Sequence, residues 1–305
     1  MGGTVGYHVG RLFRLDDRDL RTATMTGMAA FFTALFGTPL AATVFAMMVI
    51  SVGVFYHADF IPCLVASLVA FGVSILLGVA PTRFAIAAPD LTALMLLRVA
   101  GLAALCGLVA SLFCHSVHFA ERKMRSLLPN PWARVAVGGA AVVLLTLAVG
   151  SQTYNGAGMR TIATAIEGGA APAFGFLLKI LFTAITLGAG FKGGEVVPSF
   201  FVGATFGCVV GPLLGIPAGF AAAIGLAAVF CGATNCPVAS IFLSIEMFGG
   251  EGLLYFALAC GLSYIFSGYS GLYSSQTILY SKLKARYINI HTNSSPSSAH
   301  EPGER

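Results

Sequence analysis

Charged side chains are scarce in this chain of 305 residues, where only 10% are Asp, Glu, Lys or Arg against roughly 25% in a soluble domain. With 57% hydrophobic residues and a mean hydropathy of +0.87, that scarcity excludes a water-soluble globular domain and predicts an integral membrane protein. The cations sit in short loops and in the tail, so the net charge of +5 predicts no nucleic-acid partner. Hydrolytic signatures are missing too: there is no G-x-S-x-G and no H-E-x-x-H. An integral-membrane enzyme would therefore have a single candidate cluster, His115 and His118 with Cys114 and Glu121. Arg122, Lys123 and Arg125 follow closely, a cationic neighbourhood that disfavours a divalent metal, so a solvated interfacial cluster is the reading preferred. No cofactor and no metal is expected. The seven cysteines are odd in number and most lie in apolar segments, which predicts packing rather than a disulfide framework. The start, Met1-Gly-Gly-Thr-Val-Gly, lacks the basic and then apolar regions of a signal peptide and reads as the middle of a glycine-faced helix.

Apolar runs of bilayer-spanning length occur near residues 24–56, 60–80, 92–114, 133–150, 171–190, 199–231 and 236–267. They predict eight to ten membrane helices in one membrane domain, multi-pass in the cell's inner membrane. Lys282, Lys284 and Arg286 follow the last run and place the C-terminus in the cytoplasm by the positive-inside tendency. The Ser/Pro/His-rich tail, residues 286–305, is expected to be disordered. Arg98 and Lys179 lie in or beside apolar runs; a function is open to both, with snorkelling to the headgroups the commoner explanation.

The stretch that organises the chain is residues 190–215. Lys192 and Glu195 stand there beside glycines between two apolar segments, and a helix is predicted to open at Pro198, a residue suited to a first turn. Irregular, charged backbone is tolerated at membrane depth only when buried in protein or lining a cavity. A half-helix starting there would aim free N–H groups and the positive end of its dipole at an anion, as broken helices do in transporters. A carboxylate at midplane takes up a proton more readily than one in water, which makes Glu195 a proton-coupling candidate. Its alternative is an ionised partner of Lys192.

Two stretches align without a gap at an offset of 198 residues (225 − 27 and 237 − 39). Gly27, Ala29, Ala30, Phe32, Pro39 and Ala41 match Gly225, Ala227, Ala228, Phe230, Pro237 and Ala239. Just before them, Gly2, Thr4, Gly6, Gly10 and Leu12 match Gly203, Thr205, Gly207, Gly211 and Leu213 at an offset of 201. Two adjacent matches in the same order predict a duplicated membrane unit, with residues 1–56 a remnant of the first copy and 190–267 the matching part of the second. The two copies are expected to lie antiparallel across the bilayer, since only an inverted pair brings the helix start near Pro198 and its counterpart to the same depth. The counterpart of the Gly194–Pro198 turn would fall upstream of Met1, so the front of the first repeat is expected to be missing.

On these residues the sequence resembles the CLC chloride channels and proton/anion antiporters, over roughly residues 1–285. Gly194-Glu195-Val196-Val197-Pro198 is similar to that family's Gly-x-Phe-x-Pro anion-binding motif, with Val196 in place of Phe. Gly37-Thr38-Pro39-Leu40-Ala41 is similar to its Asn-Ala-Pro-Leu-Ala junction, and Leu272-Tyr273-Ser274 to the last-helix segment whose tyrosine faces the central anion. Gly193-Gly194-Glu195-Val196, Thr234-Asn235-Cys236-Pro237 and Gly271-Leu-Tyr-Ser-Ser-Gln276 are similar to the bacterial fluoride/proton antiporter branch. The resemblance implies an all-α inverted-repeat helical bundle with broken helices, a homodimer in a lipid bilayer, and transport of chloride or fluoride coupled to protons. It also implies that the N–H groups of Glu195 and Val196 and the Tyr273 hydroxyl contact the anion, with Glu195 on the transport path. Val197 stands where the branch has threonine, and Met48 where family members often carry glutamate, while its repeat mate Glu246 keeps the carboxylate. An inactive truncated product is the other reading the sequence leaves open.

Overall fold

The computed structural model describes residues 1–283 and 287–293, and they fall into two compact units. The first holds residues 1–84, 235–253 and 274 onward; the second holds residues 85–234 and 254–273.

In the first unit α1 (Gly2–Leu12), α2 (Asp17–Phe36), α3 (Pro39–Met48) and α4 (Phe60–Leu76) are joined by α11 (Pro237–Phe248). Asp16 caps α2, its Oδ1 accepting the Asp19 N–H at 2.8 Å, as a side-chain oxygen at that position should. Met25 and Ala29 of α2, Ala46 and Met47 of α3 and Cys63 of α4 form the buried core. The repeat shows in the backbone. Gly37 (φ 70°) and Asn235 (φ 60°) are repeat mates, and both take the left-handed conformation. The next residues, Thr38 (φ −121°, ψ 77°) and Cys236 (φ −121°, ψ 71°), both hand over to a helix beginning at a proline.

A small sheet joins this unit, a feature outside the all-α expectation: β1 (Ser51–Val52) pairs parallel with β2 (Thr277–Tyr280), which pairs antiparallel with β3 (Tyr287–His291). Two expectations are corrected. Leu272-Tyr273-Ser274 does not open a last helix but an irregular segment leading into β2. Part of the tail expected to be disordered is a strand, because Ile288 and Ile290 point inward and alternate with exposed Tyr287, Asn289 and His291. The rest of the tail, from residue 294, lies outside the described residues.

The second unit holds α5 (Ala93–Leu127), α6 (Pro131–Val149), α7 (Met159–Glu167), α8 (Gly175–Gly188), α9 (Val196–Val210), α10 (Ala218–Thr234) and α12 (Leu253–Phe266), with α5 and α7 packed on both α9 and α10, α8 on α5 and α9, and α6 on α8. Every residue from Phe220 to Thr234 is buried, as expected of a helix apolar on all sides. Its close partner is α9: a Cβ at Gly203 would meet the Gly225 carbonyl, and one at Gly225 the Gly203 carbonyl. The first unit repeats this crossing, with Gly2 against the carbonyl of Gly27 and Gly27 against that of Gly2. Small residues at such crossings let helix backbones touch.

Twelve α-helices are formed among the described residues, and nine of them are apolar, against the eight to ten membrane helices expected. Three helical stretches, residues 57–76, 93–127 and 131–149, are long and apolar enough to cross a membrane, and six more are shorter and apolar. Three of the expected apolar runs each divide into two helices, at Gly37-Thr38, at residues 211–217 and at residues 249–252. All seven cysteines are buried thiols.

Candidate functional site

Helix α8 ends at Gly188, the chain turns through Gly190 (φ 98°), and Glu195 becomes the N-cap of α9. The helix opens at Val196, two residues before the expected Pro198. Proline fits the third helical position as well as the first, since neither has an intrahelical acceptor for an N–H. The first helical bond runs from the Ser199 N–H to the Glu195 carbonyl at 3.2 Å. The N–H groups of Val196 and Val197 therefore lack intrahelical partners, and Pro198 has none to offer.

Glu195 is half-buried, and its Oε2 is buried with no hydrogen-bond partner among the described residues. Lys192 is exposed, and the ion pair formed among the described residues is Arg125 with Glu121, at 2.8 Å. The pairing of Glu195 with Lys192 is thus not formed. Glu121 is a like charge that acts on Glu195.

Beside this turn lies a cavity of about 480 Å³ within the second unit, lined by Gly193, Gly194, Val197 and Pro198, by Lys179, Thr183 and other residues of α8, and by residues 154–157 of the α6–α7 connection. Lys179 does not snorkel: it is 2% exposed. Its Nζ donates to the carbonyls of Tyr154 at 3.1 Å and Gly156 at 2.5 Å and stands 5.2 Å from the centre of the Phe201 ring. Burying a cation without an acid is costly unless such acceptors surround it. Arg98 is half-buried, its Nη1 donating to the Gly215 carbonyl at 3.1 Å.

Tyr273 does not line this cavity. It is half-buried, and the segment before it is fixed to α5 and α10. The Leu272 N–H donates to the Ala233 carbonyl at 2.9 Å, His118 Nε2 to the Gly271 carbonyl at 2.9 Å, and Ser111 and Ser270 share a hydrogen bond of 2.9 Å. The His115/His118 pair thus tethers a segment; Cys114 is buried, so the cluster is not the fully solvated one expected. Among the described residues no three His, Cys, Asp or Glu side chains come together as a metal site.

Two polar groups outside the predicted set are tied into the first unit. Glu246 accepts the N–H groups of Leu40 at 3.0 Å and Ala41 at 2.8 Å, with its carboxylate on the open N-terminus of α3. Asn235 Nδ2 donates to Gln276 Oε1 at 3.0 Å, and Gln276 Nε2 to the Val49 carbonyl at 2.8 Å. The signal for Glu246 was its place as the repeat mate of Met48; for Gln276 the signal was its occurrence in a branch motif.

A profile of the voltage gated chloride channel family matches residues 1–268. A chloride/fluoride channel protein of Pseudomonas syringae pv. tomato is 36% identical over 291 residues, covering 92% of this chain and 64% of that protein. An H+/Cl− exchange transporter of Vibrio cholerae is 29% identical over 268 residues, covering 81% of this chain and 56% of its own length. The crystal structure of a CLC-type fluoride/proton antiporter superposes with a TM-score of 0.87 at 34% identity, covering 91% of this chain and 70% of that one. The chain thus spans less than two thirds of the curated relatives it matches, and the fold and motifs lead to one conclusion: it belongs to the voltage-gated chloride channel (CLC) family.

Proposed function

We propose that this chain carries part of a pathway for small inorganic anions across a membrane, chloride or fluoride, with proton movement coupled to it. The observation that carries the reading is the opening of α9. There the N–H groups of Val196 and Val197 have no partner within their helix, and Glu195 keeps one carboxylate oxygen buried and unpartnered at the same point. Free N–H groups at a helix start attract an anion, and a carboxylate without a fixed partner is free to exchange a proton. Gly194, Glu195, Val196, Val197, Pro198 and Tyr273 are the residues assigned to the anion, with Glu195 moving the proton. The same reading takes the inner membrane as location and a homodimer as assembly.

Replacing Tyr273 with phenylalanine tests the anion side. It removes one hydroxyl donor, a loss of roughly 1 kcal/mol for a neutral partner and more for a dehydrated anion. Fluoride, small and strongly hydrated, should lose more than chloride. Efflux followed with ion-selective electrodes should show a weaker apparent affinity in Tyr273→Phe, about fivefold or more, with an unchanged pH profile. Identical concentration dependence for both halides would remove Tyr273 from the site.

A further inference from the structure

We propose that the cavity between α8 and the start of α9 is itself an anion-binding site, in which Lys179 supplies the fixed charge and Thr183 a hydroxyl donor. This deepens the anion reading above by adding a position away from Tyr273, and it rests on that reading only for the choice of halide as ligand.

Lys179 and Thr183 are one turn apart on α8, so they present to the same side. Both line the cavity, and both are more than nine-tenths buried, at 2% and 7% exposed. The Lys179 ammonium has three N–H bonds to give. Two are directed at the Tyr154 and Gly156 carbonyls. Neutral carbonyls satisfy hydrogen bonds but leave the charge uncompensated, and no carboxylate lines the cavity. The Thr183 hydroxyl makes no hydrogen bond among the described residues. On a residue that lines the cavity, a donor in that state is available to an acceptor placed there.

The cavity is also lined by Gly193, Gly194 and the first turn of α9, whose dipole adds positive potential. Side chains added at Gly194 would meet nothing within 4 Å, so that wall is open. Phe182, Leu187 and Val142 make up much of the remainder, and apolar walls strengthen the attraction between a fixed cation and an anion. A cation, an unused hydroxyl and a helix start around an apolar space suit one small acceptor: a halide.

The test is the thermal stability of the purified chain in detergent as sodium fluoride or sodium chloride replaces sodium gluconate at constant ionic strength. A ligand of the folded state raises Tm with its concentration. The wild type should gain stability saturably, and Lys179→Arg should keep the gain. Lys179→Met should raise the half-saturating halide concentration by at least about tenfold, and Thr183→Val should raise it severalfold, as expected for lost charge-assisted and neutral donors. No halide-dependent gain in the wild type would overturn the proposal. So would a Lys179→Met protein with a lower baseline Tm but an unchanged gain, since Lys179 would then only brace the α6–α7 connection. If Lys179→Met does not fold, Thr183→Val decides, and an unchanged gain there overturns it. The readout needs no flux, so a halide-dependent gain in a chain that transports nothing would support this site while refuting the transport reading.

Discussion

Glu246 holds two backbone N–H groups at the start of α3, so its contribution is that of a charged helix cap. Glu246→Ala leaves both donors without that partner and should destabilise the folded chain by about 1–2 kcal/mol. Glu246→Gln keeps an acceptor but removes the charge and should cost about half as much. Loss of near-native signal in a denaturant titration of the detergent-solubilised protein measures both, and equal stability of all three proteins would show that the cap contributes nothing. The sequence marked Glu246 only through its repeat mate Met48, because a cap 206 residues away from its helix leaves no local pattern. Lys179 was misjudged for a related reason. A lysine in an apolar run looks the same whether its stem reaches the headgroups or its ammonium meets carbonyls inside, and the choice depended on residues 150–158, which no spacing connects to α8.

The repeated crossings at Gly2/Gly27 and Gly203/Gly225 place backbone on backbone, so a side chain there forces helices apart. Gly225→Val should destabilise by more than about 2 kcal/mol. Gly101 on α5 has nothing within 4 Å of an added Cβ, and Gly101→Ala should instead stabilise by roughly 0.5–1 kcal/mol through helix propensity. Thermal unfolding of the two variants in detergent should move in opposite directions; a tolerated Gly225→Val would contradict the close packing of α9 on α10. These elements were legible because the duplication supplied an internal comparison: the breaks at Pro39 and Pro237 and the glycine spacings could be read off the two copies. Helix boundaries within the runs were less legible. In a membrane protein the lipid-facing and buried faces are both apolar, so a run such as residues 236–267 carries no periodicity that separates α11 from α12. The strand β3 was missed although Tyr287-Ile288-Asn289-Ile290-His291 alternates, because the neighbouring Ser, Pro and His residues dominated the reading of the tail.

The whole chain covers 64% of the length of the Pseudomonas syringae relative, and its described residues divide into two units with the α9 turn, Lys179 and Tyr273 all in the second. In the proposed function Glu195, at the head of α9, couples proton movement to anion movement. Glu195→Gln keeps the size and hydrogen-bonding capacity of the side chain while removing its titration, so the fold should survive. The direct measurement is proton uptake recorded together with fluoride or chloride efflux from liposomes carrying the chain. The wild type should take up protons as anions leave, and Glu195→Gln should lose most of that uptake. Anion-driven proton uptake that is absent from the wild type, or that is unchanged in Glu195→Gln, would contradict the account.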